Sequence, residues 1–231
     1  MRDTFVGLGG WLKNSFIDFP GTVSTVLFFS GCNLRCPYCH NPDLVAGRND
    51  LSSQSDQIWS FLQRRKGMID GVVFSGGEPT IHPHVPTLCH QIRDMGYKIK
   101  LDSNGLLPKV VEKSAPDYFA LDIKTTPSLY YRLGASYGDI SHRLGQSIEL
   151  VKSMGEKAEV RITVAPTLID MEVVQELSEM LKGVTRVFLQ PLNQRVPLLS
   201  PHYNSIKSIS EQEIEQYRHM LSFAVGSCKI R

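Results

Sequence analysis

The feature that most constrains the fold of this chain is a rhythm. Short apolar runs alternate with amphipathic stretches from Val23 almost to the C-terminus. Six runs read as strands: Val23–Phe29, Gly71–Ser75, Tyr97–Ser103, Tyr118–Lys124, Ala158–Pro166 and Arg186–Pro191. Near-continuous apolar character marks strands covered on both faces, as in a parallel sheet. The intervening stretches carry helical spacing over 55–65, 84–96, 107–114, 140–155 and 171–183, with a last helix near 210–223. Ser53 and Asp56 are spaced as a capping box for the first helix, and Gly96 ends the second. Such alternation predicts a parallel sheet with right-handed crossovers. Six units fall short of the eight that close a TIM barrel. The expectation is an α/β fold, a partial (β/α)6 TIM-like barrel in one domain over 1–231, with its core at about 20–195. A flat doubly wound sheet is the alternative.

Composition narrows the functional classes. The 231 residues suit one such domain, and 42% hydrophobic residues suffice to fill its core. A net charge of +2 gives no support for nucleic acid as the main partner. No run of 18 apolar residues predicts a membrane span. The first residues, MRDTFVGLGGWLKNSF, lack the apolar region of a secretory signal, so a cytoplasmic protein with reduced thiols is expected. Five cysteines, an odd number, argue against a disulfide framework. Cys89 lies in an apolar helical pattern and reads as a small buried hydrophobe. Cys228 receives no role.

In either architecture ligands gather at the carboxyl ends of the strands. The unusual residues fall there. Cys32, Cys36 and Cys39 follow the first strand, SGGEPT the second, and DSNG ends the third. LDIK ends the fourth, RITVAP runs along the fifth, and QPLNQ ends the sixth. Thiolates favour zinc, copper(I) or iron–sulfur clusters. The spacing C-x3-C-x2-C differs from the C-x2-C pairs of zinc ribbons, and no second pair follows. His40 directly follows Cys39, which makes convergence on one ion awkward. Three ligands fit a [4Fe–4S] cluster with one iron left open for something other than protein. The amine and carboxylate of an amino acid would suit that iron as a chelate.

At this point C-x3-C-x-aromatic-C, with Tyr38 as the aromatic, resembles the signature of radical S-adenosylmethionine (SAM) enzymes. The resemblance implies one [4Fe–4S] cluster on Cys32, Cys36 and Cys39, with SAM chelating the fourth iron. One electron then breaks the carbon–sulfur bond, and a 5′-deoxyadenosyl radical abstracts hydrogen. Gly76, Gly77 and Glu78 resemble the GGE motif that holds the methionine amine. Two glycines also let a backbone approach a ligand closely. Asp122, Ile123 and Lys124 resemble a DLK element that contacts the cofactor. Ser103 and Asn193 are further cofactor positions by resemblance. Asn193 stands where one branch has histidine. Arg161 and Thr163 share one face of the fifth strand by period two. Arg161 could pair with the cofactor carboxylate, or form a salt bridge inside the barrel. Asp102, Ser103 and Asp122 match positions that hold a monovalent cation in relatives.

The stretches YCHNP (Tyr38–Pro42) and SFIDFPG (Ser15–Gly21) are similar to those of glycyl radical enzyme activating enzymes. The N-terminal third looks like proteins that activate anaerobic ribonucleoside-triphosphate reductase. Ten residues without cysteine separate Pro42 from Ser53, so no auxiliary cluster is expected. The resemblance implies a protein substrate, the glycine loop of a glycyl radical enzyme, and flavodoxin or ferredoxin as electron donor. Asp18, Pro20 and Gly21 are then candidates to meet that loop, or simply a turn ahead of the first strand. Three competitors stand beside this reading. One is activation of another glycyl radical enzyme, such as pyruvate formate-lyase. Another is small-molecule chemistry of the 7-carboxy-7-deazaguanine synthase type. The third is a non-catalytic metal-binding sensor.

Overall fold

The computed structural model describes residues 4–231. Its strands are β1 (Leu8–Ser15), β2 (Ser24–Phe29), β3 (Gly71–Gly76), β4 (Lys98–Ser103), β5 (Tyr118–Ile123), β6 (Ala158–Val164), β7 (Arg186–Pro191) and β8 (Ser227–Ile230). The helices are α1 (Pro42–Val45), α2 (Ser55–Arg64), α3 (Val85–Asp94), α4 (Pro108–Ser114), α5 (Ile140–Met154), α6 (Met171–Met180), α7 (His202–Ser205) and α8 (Glu211–Ser222).

The strands form one sheet whose order follows chain order from β1 to β8. Sequential order without reversal is the layout of a (β/α) barrel, whereas a doubly wound sheet reverses direction from a central strand. β1 and β8 have one neighbour each, so the sheet is open. β2–β3, β3–β4, β6–β7 and β7–β8 are parallel pairs, and β1 runs antiparallel to β2. The partial barrel is thus present, with two strands beyond the expected six. β1 escapes sequence reading because Gly9 and Gly10 interrupt its pattern. β8 is only four residues long.

Two compact units can be told apart. The first comprises residues through Asn33, Asn41–Ser103 and Lys109–Phe119. Its core contains Leu27, Phe29, Phe74, Ile58, Leu62, Leu88 and Ile92, all fully buried. Phe29 and Phe74 stack with centroids 5.7 Å apart. The expected capping box at Ser53 is absent. Asp50 accepts from the Ser52 backbone and hydroxyl instead, and α2 follows directly on a 3-10 turn, Ser52–Gln54, without a side-chain cap. The second unit comprises Leu34–His40, Asn104–Pro108 and Ala120–Arg231. Tyr130, Leu144, Val160, Leu177, Leu189 and Leu221 fill its core. A true capping box opens α8, where Ser210 and Glu213 bond reciprocally.

Candidate functional site

The cysteine loop leaves β2 at Gly31, whose φ of +82° is the left-handed conformation glycine tolerates best. Its amide donates to the Leu44 carbonyl at 2.6 Å. Cys32 follows, half-buried, in the first unit. Cys36 (buried) and Cys39 (half-buried) belong to the second unit. There the backbone is stitched down along its length. Arg35 N–H donates to the Leu133 carbonyl at 2.6 Å. Ser200 N–H donates to Pro37 at 2.8 Å, and Leu199 N–H to Cys39 at 3.0 Å. His40 Nε2 lies 3.1 Å from the Asn193 carbonyl, an acceptor, so Nε2 carries the proton. The segment 193–203 therefore straps the loop, and Tyr203 packs near Tyr38 with ring centroids 6.3 Å apart.

The donor set fits an iron–sulfur cluster. Burial pushes the Cys36 thiol up to about 11, Lys124 pulls it back, and Cys39 raises it again. Metal coordination removes such a proton outright. No three His, Cys, Asp or Glu side chains among the described residues are grouped to hold a metal ion. A cubane cluster does not ask for that, because each thiolate binds its own iron. Tyr38 is buried, and burial raises its phenol well above the usual range, so it stays neutral beside the thiols.

In the first unit, Glu78 is 1% exposed and held rigidly. Its Oε1 accepts from Thr80 N–H at 3.0 Å, Thr80 Oγ1 at 2.5 Å and Ser103 Oγ at 2.8 Å. The two glycines before it let the turn pack against the backbone at the start of the cysteine loop. A Cβ on Gly76 would lie 2.4 Å from the Phe29 nitrogen, and one on Gly77 would lie 2.0 Å from the Gly31 oxygen. The turn docks on the start of the cysteine loop through Gly77 N–H to Phe29 O (2.8 Å) and Glu78 N–H to Gly31 O (2.9 Å). Glycine is needed for backbone to meet backbone.

In the second unit, Asp122 takes two bonds from Arg161, Nε to Oδ1 at 2.7 Å and Nη2 to Oδ2 at 3.1 Å. Lys124 Nζ adds a contact at 3.3 Å to Oδ2. Burial alone would raise the Asp122 carboxyl; Arg161 and Lys124 outweigh it and hold the group well below the usual range. Burial alone would lower Lys124, and Asp122 more than reverses that. One carboxylate faces two cations, so the cluster of side chains is net positive. Arg161 thus makes the internal salt bridge. Tyr130 Oη accepts the Lys124 N–H at 3.2 Å and fixes the end of β5. Ile123 is fully buried, so only its backbone is available to a ligand. Thr163 lies two residues from Arg161 and pairs with Gln190 in register. Asn193 is exposed, and its Oδ1 accepts from Arg195 N–H at 3.0 Å.

Asp102 and Ser103 alternate across β4 in the first unit, where Asp102 binds Lys100 and Ser75 and Ser103 binds Glu78; Asp122 belongs to the second unit. Asp18, Pro20 and Gly21 sit in the β1–β2 turn, at the amino end of β2, whereas Cys32 follows its carboxyl end. Ser15 Oγ donates to Asp18 at 2.5 Å, and Phe19 packs with Val26, Val73 and Tyr118. The turn reading holds for this segment, which plugs the opposite end of the strands. Sequence reasoning missed Lys100, Tyr130 and the 193–203 strap. Lys100 left one signal: a lysine on the face of β4 shared with Asp102.

The Radical SAM superfamily profile matches residues 26–182. The chain belongs to the radical SAM superfamily. A [4Fe–4S] cluster and SAM are accordingly its cofactors. A protein of Methanocaldococcus jannaschii, provisionally named glycyl-radical enzyme activating enzyme, is 29% identical over 76% of this chain and 75% of its own length. The pyruvate formate-lyase-activating enzyme of Clostridium pasteurianum is 30% identical over 86% of this chain and 83% of its own. Among solved structures, QueE from Escherichia coli superposes with a TM-score of 0.54 at 16% identity, covering 100% of this radical SAM chain and 92% of the other, which speaks to fold alone. No helix among the described residues is long and apolar enough to cross a membrane.

Proposed function

We propose that this radical SAM enzyme activates a glycyl radical enzyme by removing one hydrogen atom from a glycine Cα in that partner. Anaerobic (class III) ribonucleotide reductase is the first candidate, and flavodoxin or ferredoxin the electron donor. The observation that carries the reading is the similarity to activating enzymes over 76% and 86% of the chain. It is supported by the short path from Cys39 into α1 at Pro42, which leaves no room for an inserted cluster domain.

When bound, the cluster and SAM supply a one-electron cleavage that yields methionine and an adenosyl radical able to take a hydrogen atom. The protein's part is positioning. Cys32, Cys36 and Cys39 hold the cluster, and Lys124 offsets negative charge beside Cys36. Glu78, pinned through one oxygen, presents a fixed negative charge to the methionine ammonium. Gly76 and Gly77 place Glu78 by docking its turn on the loop. Asp122 and Arg161 hold each other and so fix the end of β5, whose Ile123–Lys124 backbone would contact the cofactor. Thr163 and Asn193 would contact its adenosine half, and the buried Tyr38 ring would shield the thiolates.

The test is anaerobic reconstitution with dithionite, SAM and purified class III reductase, read by electron paramagnetic resonance. A glycyl radical doublet on the reductase is expected. Cofactor cleavage without a protein radical on the reductase or on formate-lyase would overturn the reading in favour of a small-molecule substrate.

A further inference from the structure

Along β4, residues 98, 100 and 102 share one face by period two. Lys98 is exposed, but Lys100 is only 2% exposed. A lysine is almost never buried so fully unless paired. Its ammonium contacts Asp102 Oδ1, and the other oxygen, Oδ2, accepts from Ser75 Oγ at 3.0 Å. The ammonium also lies 5.9 Å from the centre of the Tyr118 ring. Tyr118 belongs with Phe19, Val26 and Val73 to an apolar plug. Lys100 thus stands on a dry floor and reaches toward a carboxylate near the carboxyl end of β4.

Stability does not explain this arrangement, because apolar residues of similar volume usually serve as well as a buried ion pair. A charge-placing role does. Asp102 is one of the residues whose resemblance implied a monovalent cation, and its own surroundings do not fit such an ion. Lys100 already occupies its Oδ1, and Ser75 Oγ donates to its Oδ2. An alkyl ammonium has the charge of K+ and donates where K+ would coordinate.

We propose that Lys100 is a tethered substitute for a monovalent cation, fixing the charge and orientation of Asp102 from inside the chain. Lys100 is a positioning residue, and this enzyme has no requirement for K+ or Na+. Only the activity arm of the test rests on the radical SAM assignment; the melting and binding arms need neither cofactor nor partner.

The experiment compares KCl, NaCl and choline chloride at equal ionic strength. Cofactor-free wild-type protein melts at the same temperature in all three, and thallium-205 resonance of added Tl+ shows no saturable site. The reconstituted wild type cleaves SAM at the same rate in all three. In Lys100→Met the melting temperature drops in choline and recovers saturably with KCl, while cleavage becomes K+-dependent by about tenfold. A purely structural lysine would give a loss that no salt restores. Lys100→Met/Asp102→Asn, lacking both charges, is indifferent to K+ and guards against a single variant too unstable to measure. Saturable K+ or Tl+ binding by the wild type, or a folded Lys100→Met that ignores K+, overturns the proposal.

Discussion

Replacing Arg161 with methionine separates its two readings. The substitution keeps the aliphatic bulk and removes the two bonds to Asp122 at 2.7 and 3.1 Å. Breaking a buried pair by deleting one partner costs about 3–5 kcal/mol. Two features reduce that figure here. Lys124 remains 3.3 Å from the carboxylate, and the Asp122 side chain keeps 24% exposure. About 2 kcal/mol is the expected loss, equivalent to roughly 4–8 °C in melting temperature for a domain of this size. Thermal and urea unfolding of the cofactor-free protein measure it. Arg161→Met/Asp122→Asn should recover at least half of the loss, because no charge is then left uncompensated. The pH dependence has a definite sign. The Asp122 carboxyl is lowered in the folded state, so its stabilisation is present above the unfolded value near 4 and fades as pH falls below it. The variant should therefore lose less stability on acidification than the wild type. A single variant as stable as wild type, with SAM affinity lost instead, would refute the salt-bridge assignment and return Arg161 to the cofactor.

Three further outcomes follow from the site. Cys36→Ala should abolish the visible charge-transfer absorbance of the reconstituted cluster and with it SAM cleavage; normal cleavage would remove the cysteine loop from the chemistry. Glu78→Gln should weaken SAM binding at least tenfold, on the order of the 1.4 kcal/mol that a charge-assisted contact supplies, while cluster absorbance stays unchanged; calorimetry and visible spectra of the loaded protein read the two. Gly77→Ala drives a Cβ to 2.0 Å from the Gly31 oxygen, and a backbone cannot swing aside as a side chain can. About 3 kcal/mol of destabilisation is expected, with poor cluster retention, and a wild-type melting curve would contradict the docking role.

The strands and helices that were legible in the sequence share a cause. A strand covered on both faces is largely apolar, and β2, β3 and β5 announce themselves that way; β4, with Lys98, Lys100 and Asp102 on one face, does so by alternation. β1 pairs only at an edge, and its glycines at 9 and 10 let it pass close to Ser30 and Phe28. The cysteine spacing was legible because its ligands are neighbours in sequence. The Asp122–Arg161 pair was not, because it joins residues 39 positions apart. Gly76 and Gly77 were legible as positions of close backbone approach; that the approach includes the backbone of the cysteine loop was not. The Asp18 turn shows the limit of motif matching: likeness in sequence did not say at which end of β2 the segment lies.

The strap over the cysteine loop bears on how the enzyme matures. Pro37 and Cys39 are held by backbone amides of Ser200 and Leu199, some 160 positions later in the chain. At ribosomal speeds of about 5–20 residues per second, roughly 10–30 s pass between synthesis of the two partners. During that interval the thiols exist without their clamp. Iron and sulfide delivered before the strap exists would meet an unshaped loop, so the cluster is best installed once residues 199–200 have been made and have folded back.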